Sequence, residues 1–256
     1  MEIDVLVVTH NHENYIRRCL DSVLSQQVRA KVNIIVGCDL GTDSTLDIIK
    51  SYGDKVRCLV LSKEQKISLC GPNGRGNFLN IFNVSKSEYI AYLEGDDYWL
   101  HDNKLQLQLD CMTRTDCDLV ADYVSQYNND FGKQGLISSW KMVTIPSSAL
   151  ITSSFLLRRD VLERFRRIAK IAPVGDLYWQ LLTKNGVYIT EKTTHYERGN
   201  SSSWTNNRSD DIVYWRCYYR AHYKASIILL VSERSMRWFY LIILKLKEQI
   251  QNKRIF

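Results

Sequence analysis

The chemistry-bearing residues concentrate in Tyr89-Ile90-Ala91-Tyr92-Leu93-Glu94-Gly95-Asp96-Asp97-Tyr98-Trp99, where a hydrophobic run stops at three carboxylates within four positions. Like charges this close repel and raise one another's pKa, so the cluster calls for a cation. Oxygen ligands around a glycine suit a hard ion such as Mg²⁺ or Mn²⁺, which keeps part of its water and bridges to substrate phosphates. The plainer reading of the same residues is an acidic turn leading into the next helix. Three further polar clusters also follow hydrophobic runs: Thr9-His10-Asn11-His12, the stretch from Asp39 to Thr45, and Gly74-Arg75-Gly76.

These clusters need a scaffold that gathers them. Beyond Asp4 the run to Val8 is wholly aliphatic, the pattern of a strand buried on both faces of a parallel sheet. Ile16, Cys19, Leu20, Val23 and Leu24 then recur at helical spacing, with Arg17, Arg18, Asp21 and Ser25 on the other face. Strands at 33–38, 56–61 and 89–93 alternate with helices at 45–52 and 78–84, with a Gly-rich loop through Gly76 before the latter. Such alternation implies a parallel sheet with helices on both sides, whose ligands bind beyond the carboxyl ends of the strands. A helix at 102–114 is expected, with Asp102 as N-cap and Leu105, Leu109 and Met112 inward. Strands at 119–124, 155–157 and 187–190 and helices at 160–168 and 177–184 complete the body, while 126–146 shows no convincing period.

With 256 residues, 45% of them hydrophobic, and 3 prolines, the chain can bury one large core or one core plus a small appendage. That excludes a disordered or collagen-like chain. The formal net charge of +6 is uneven: from Tyr214 onward nine Lys or Arg face only Glu233 and Glu248, which leaves the preceding body about neutral. This asymmetry argues against nucleic acid as a partner and for a terminal segment that meets an anionic surface. Seven cysteines without a C-x-x-C pair read as reduced thiols, and the strand-like start without a charged leader reads as no signal peptide. The apolar runs at 225–231 and 238–244 are shorter than the roughly 20 residues of a membrane-spanning helix. A cytoplasmic protein, peripheral on the inner face of the membrane, is the expectation.

In these motifs the sequence resembles the inverting family-2 glycosyltransferases of GT-A fold, from about residue 3 to about residue 205. Thr9 to Tyr15 is similar to the family's T-Y-N segment after the first strand, with His10 at the Tyr position. Ile34 to Thr45 is similar to its D-D-G-S-T-D-x-T turn, with Cys38 in place of the first acid. Gly74-Arg75-Gly76-Asn77-Phe78 is similar to its G-x-x-x-N-F segment, and Glu94-Gly95-Asp96-Asp97 to its acidic metal motif. The resemblance implies a GT-A, Rossmann-like, mostly parallel sheet flanked by helices. It also implies a nucleotide-binding half at 1–100 and an acceptor half at 101–205, followed by a basic aromatic helical tail at 206–256.

The resemblance assigns roles residue by residue. Thr9, His10 and Asp39 lie around the base, Arg75 reaches the diphosphate, and Glu94 contacts the nucleotide. Asp96 and Asp97 hold Mn²⁺ or Mg²⁺, Asp96 lying also against the nucleotide. A carboxylate can accept the N3 proton of uracil, so Asp39 favours a UDP-sugar donor. The segment Thr152-Ser153-Ser154 through Arg159 is similar to one that precedes the family's catalytic acid, which points to Asp176 as general base. His195 to Ser201 is similar to the Y-R-x-H-G-x-S segment, with Arg198 at the His position; it cannot ligate a cation but can neutralise the departing diphosphate.

The implied reaction is hexosyl transfer with inversion to a glycan or lipid-linked saccharide acceptor in surface-polysaccharide synthesis. Trp215, Tyr218, Tyr219, Trp238, Phe239 and Tyr240, interleaved with Arg and Lys, suit peripheral membrane contact, and the plainer reading is a helical pair packed on the body or on a second copy of the chain. A nucleotidyltransferase would need a Gly-rich basic loop after the first strand and a dinucleotide oxidoreductase a G-x-G-x-x-G; residues 9–12 supply neither. A degenerate sugar-nucleotide or glycan-binding subunit is the remaining alternative.

Overall fold

Val5, Leu6 and Val7 are fully buried and Val8 nearly so, which leaves the first strand, β1 (Glu2–Thr9), no solvent face. The computed structural model describes residues 1–62, 64, 73–124, 135–137, 152–169 and 187–195. β1 pairs in parallel with β2 (Lys31–Asp39), and β2 pairs in parallel with β3 (Arg57–Leu61). On its other side β1 pairs in parallel with β4 (Tyr89–Glu94). Crossover helices α1 (Ile16–Leu24), α2 (Thr45–Lys50) and α3 (Asn73–Val84) make these connections, as the alternation of patterns predicts.

Beyond β4 the sheet becomes mixed. β5 (Tyr98–Trp99), β6 (Leu119–Val124), β7 (Gly135–Ile137), β8 (Leu156–Arg158) and β9 (Val187–His195) extend it, with α4 (Lys104–Thr115) and α5 (Arg159–Ala169) as further helices. Among the described residues, nine strands share one sheet in the order β3-β2-β1-β4-β8-β6-β9-β5, with β7 paired to β9. β8 runs antiparallel between β4 and β6, and so joins the two halves of the molecule.

Three local expectations change. Gly74, Arg75 and Gly76 belong to the first turns of α3 rather than to a loop. Asn77 is fully buried with its Nδ2 donating to Gly37 O at 2.7 Å, and Phe78, Leu79, Ile81 and Phe82 are buried after it. That docking sustains a helix whose glycines signal none. The residue before α4 is Asn103, with no side-chain cap; Asp102 instead accepts from Gln27 Nε2 at 2.6 Å. β5 and β7 are too short to carry a period and exist only through their pairing with β9. The predicted helix at 177–184 and the tail at 206–256 lie outside the described residues.

Asp4 is a charge inside a buried strand, and its partners explain it. The carboxylate accepts from Ser87 Oγ at 2.6 Å, Ser87 N at 3.0 Å, Lys86 N at 2.8 Å and Asn33 Nδ2 at 2.9 Å. Burial alone would raise its pKa, but these hydrogen bonds, led by Ser87, outweigh burial and hold it at about 2. The folded value lies below that of the unfolded chain, so this stabilisation is complete above about pH 4 and is lost as pH falls toward 2. Asp4→Ala should therefore cost about 2–4 kcal/mol at pH 7 and about 1 kcal/mol less at pH 3, measured by urea unfolding at both pH values.

Candidate active site

Parallel neighbours deliver their carboxyl ends to the same edge of the sheet. Val8 stands opposite Glu94, and the Gly95 N–H donates to Val8 O at 2.8 Å, so the acidic loop extends the ladder by one bond. The chain leaves β1 toward β2, whereas β4 lies on the other side, which makes this edge the switch point of the parallel half. Gly95 is pressed against the first loop: a Cβ there would lie 2.5 Å from Thr9 Oγ1 and 2.9 Å from His12 Nδ1. Close approach of the two loops is thus the reason for a glycine between Glu94 and Asp96.

The loops after β1 and β2 are tied together just as closely. Glu13 N donates to Asp43 Oδ2 at 3.0 Å, Ser44 N to Glu13 Oε2 at 3.1 Å and Thr42 N to Asn11 Oδ1 at 3.0 Å. His12 N donates to Thr45 Oγ1 at 2.7 Å, and Asn11 takes a left-handed backbone with φ 54°. Asp43 Oδ1 also accepts from Thr45 N at 3.0 Å, so this residue serves the start of α2. The clasp brings Thr9, buried at the end of β1, and His10 beside Asp39, whose backbone oxygen lies 3.5 Å from His10 Nδ1. Asp39 itself is 3% exposed.

The acidic residues divide. Asp96 stays partly exposed, with Oδ2 3.9 Å from His12 Nε2. Burial pushes the His12 imidazole below its ordinary pKa despite the opposing charge of Asp96. His12 Nδ1 lies 3.2 Å from Thr9 Oγ1. Asp97, by contrast, is buried and accepts a short hydrogen bond from Ser153 Oγ. Ser153 Oγ also accepts from Glu94 N at 3.1 Å, and the Glu94 carboxylate accepts from Tyr92 OH. The sequence treats Asp96 and Asp97 as a pair; the structure gives one to the cleft beside His12 and the other to the body.

His12, Glu13 and Ser153 are the site residues that sequence reasoning passed over. His12 and Glu13 stood inside a recognised motif, but nothing in their types marks which of them packs under Gly95 or clasps the second loop. Arg75 lies in the first turn of α3. Asp176 and Arg198 fall outside the described residues, so the described part of the candidate site comprises Thr9, His10, His12, Asp39, Glu94 and Asp96.

Among the described residues no group of three His, Cys, Asp or Glu side chains is arranged to hold a metal by itself. The donor set nonetheless fits a hard divalent ion, which takes one or two carboxylates and completes its shell with phosphate oxygens and water. Glu94 and the partly exposed Asp96 are of that kind.

A parallel sheet with these loops on its switch edge is the scaffold of a GT-A glycosyltransferase. Residues 4–166 match the family model for glycosyl transferase family 2, and the chain belongs to that family. An uncharacterised protein of Mycobacterium tuberculosis is 25% identical over 225 residues, covering 83% of this chain and 63% of its own length. The chain thus spans less than two thirds of that relative. The poly(ribitol-phosphate) beta-glucosyltransferase of Bacillus spizizenii is 33% identical over 99 residues, 38% of this chain and 15% of that enzyme. Among solved structures, S. aureus TarS 1–349 in complex with UDP superposes with a TM-score of 0.66 at 16% identity, over 90% of this chain and 66% of TarS. The mannosyltransferase of Pyrobaculum calidifontis with GDP-Man and Mn²⁺ superposes with a TM-score of 0.60 at 13% identity, over 87% of this chain and 63% of that one. At these identities the likeness is one of fold. No helix of the described residues is long and apolar enough to cross a membrane.

Gly95→Ala should force the acidic loop away from Thr9 and His12 and cost about 1–3 kcal/mol, since the added Cβ would meet the Thr9 Cβ and hydroxyl and the His12 ring. The midpoint of urea unfolding should fall without a change in its slope.

Proposed function

We propose that this protein transfers a hexosyl group from a UDP-sugar to a glycan or lipid-linked saccharide, with inversion at the anomeric carbon. The observation that carries the reading is the meeting of the acidic loop with Thr9 and His12 at the shared end of β1 and β4, beside Asp39. Asp39, at the closed end of the clasped loops, accepts the N3 proton of uracil, with His10 against the base. The UDP bound in the TarS structure supports this choice of nucleotide.

Asp96, with Glu94, would hold a Mn²⁺ or Mg²⁺ ion, whose positive charge would offset that of the departing diphosphate. Mn²⁺ beside GDP-Man in the Pyrobaculum enzyme supports a divalent ion. Asp97 keeps the loop in place through Ser153. His12, whose imidazole burial holds below its ordinary pKa, lies beside that carboxylate, with Nε2 3.9 Å from Asp96 Oδ2. The family resemblance assigns Arg75 and Arg198 to the diphosphate. Asp176 is the general base: it takes the proton of the acceptor hydroxyl as that oxygen attacks the anomeric carbon from the side opposite the leaving phosphate. The basic and aromatic composition of 206–256 supports peripheral contact with an anionic membrane face.

Calorimetric titration with UDP, GDP, CDP and dTDP, each with and without Mn²⁺, tests the donor site. UDP should bind with Mn²⁺ and lose at least tenfold in affinity in Asp96→Ala, whereas binding of none of the four to the wild type overturns the reading. Asp176→Asn should keep UDP affinity and lower kcat by about a hundred to ten thousand fold, read from UDP release in the presence of acceptor.

A further inference from the structure

Behind the acidic loop lies a second polar assembly, and its chemistry is unlike that of the sheet around it. Lys104, at the start of α4, is fully buried. Its Nζ donates to Gln108 Oε1 at 2.7 Å and to Ser154 O at 3.1 Å, lies 3.7 Å from Asp122 Oδ1, and sits 4.6 Å from the ring centroid of Trp99. Gln108, also buried, donates from Nε2 to Ser154 O at 2.7 Å and to Asp122 Oδ1 at 3.0 Å. Asp122 N donates to Ser154 Oγ at 3.4 Å. Two of the donors from α4 therefore converge on one backbone carbonyl, that of Ser154.

The residue before that carbonyl is the one that grips the acidic loop. Ser153 Oγ donates to Asp97 and accepts from Glu94 N, while Trp99 Nε1 donates to Ser153 O at 3.0 Å. Ser153 and Ser154 occupy a single 3-10 turn, Thr152–Ser154, so fixing the Ser154 peptide fixes where the Ser153 hydroxyl can point. A fully buried Lys–Asp pair is a poor device for stability alone, because desolvating both charges offsets much of their attraction. Burial indeed pushes the Lys104 ammonium down to about 8 despite the neighbouring Asp122. Such pairs are best explained where a defined arrangement is needed.

We infer that Lys104, with Gln108 and Asp122, is a positioning residue that holds the Thr152–Ser154 turn so that Ser153 fixes Glu94 and Asp97 in the geometry required for the diphosphate and its ion. The inference rests on the donor-site reading for its effect on binding, but not for its effect on the loop. Lys104 touches neither Glu94 nor Asp96; it acts through Ser154 and Ser153. The sequence placed Lys104 only within a helix, and Ser153-Ser154 only as a landmark ahead of Asp176.

The test combines hydrogen–deuterium exchange on the ligand-free protein with calorimetry using UDP and Mn²⁺. Lys104→Met should speed exchange in peptides covering 94–99 and 152–155, leave β1 and β2 at wild-type rates, and weaken Mn²⁺-dependent UDP binding at least tenfold. Should Lys104→Met fail to fold because Asp122 is left buried and unbalanced, Lys104→Met/Asp122→Asn removes both charges. That double variant should unfold near the wild-type temperature and still show the fast loop exchange. Wild-type exchange at 94–99 in either variant, or an even rise across the whole sheet, overturns the inference. Absence of Mn²⁺-dependent UDP binding in the wild type overturns the donor reading alone, and the exchange pattern then still decides the role of Lys104.

Discussion

The structure hangs on β1, a strand with no free face and no free edge. Its side chains are buried on both sides, and its backbone is paired in parallel to β2 and to β4. Parallel pairing has a geometric consequence that antiparallel pairing lacks: consecutive strands all end at the same rim. The loops after β1, β2 and β4 must therefore gather there, although the residues they bring together are up to about 85 positions apart in the chain. Everything in the cleft, from the clasp of Glu13 with Asp43 to the contact of Gly95 with Thr9, follows from that shared rim.

Charge is handled in two ways around this rim. At the surface-facing side, Asp43 and Glu13 are satisfied by backbone N–H groups of the opposite loop, which turns acidic residues into a fastening between two loops. On the inner side, Asp97, Lys104 and Asp122 are enclosed, and each finds its partners in the Thr152–Ser154 turn or in α4. Buried polar groups are costly when unpaired and rigid when paired. A loop proposed to present carboxylates to a diphosphate benefits from the second property. The antiparallel strand β8, wedged between β4 and β6, lies directly after that turn and carries the same constraint into the second half of the sheet.

The related folds show how little the scaffold decides about the sugar. Structures with UDP and with GDP-Man superpose on the same chain with TM-scores of 0.66 and 0.60. Strand ends and loop positions are common property, whereas the choice of nucleotide depends on a few side chains at the closed end of the cleft. In the proposed reading those are His10 and Asp39, whose loops are joined by hydrogen bonds.

The sequence alone determined the fold class, the strand ends and the four motifs, because aliphatic runs and helical spacing are local signals that tertiary packing only confirms. It also singled out Glu94, Asp96 and Asp97, since acids after a buried strand are conspicuous, while Thr9, His10 and Asp39 came from the family resemblance. What only the tertiary structure decided is which neighbour each of them meets. Nothing in residue types distinguishes Asp96 from Asp97, yet one lies beside His12 and the other is bonded to a serine 56 residues on. Nor does composition reveal that Gly95 is required by contact with Thr9, that the helix of Phe78 begins at Asn73, or that Lys104 is enclosed with Asp122. Those outcomes depend on contacts between segments far apart in the chain, and a period of 2 or 3.6 residues carries no information about them.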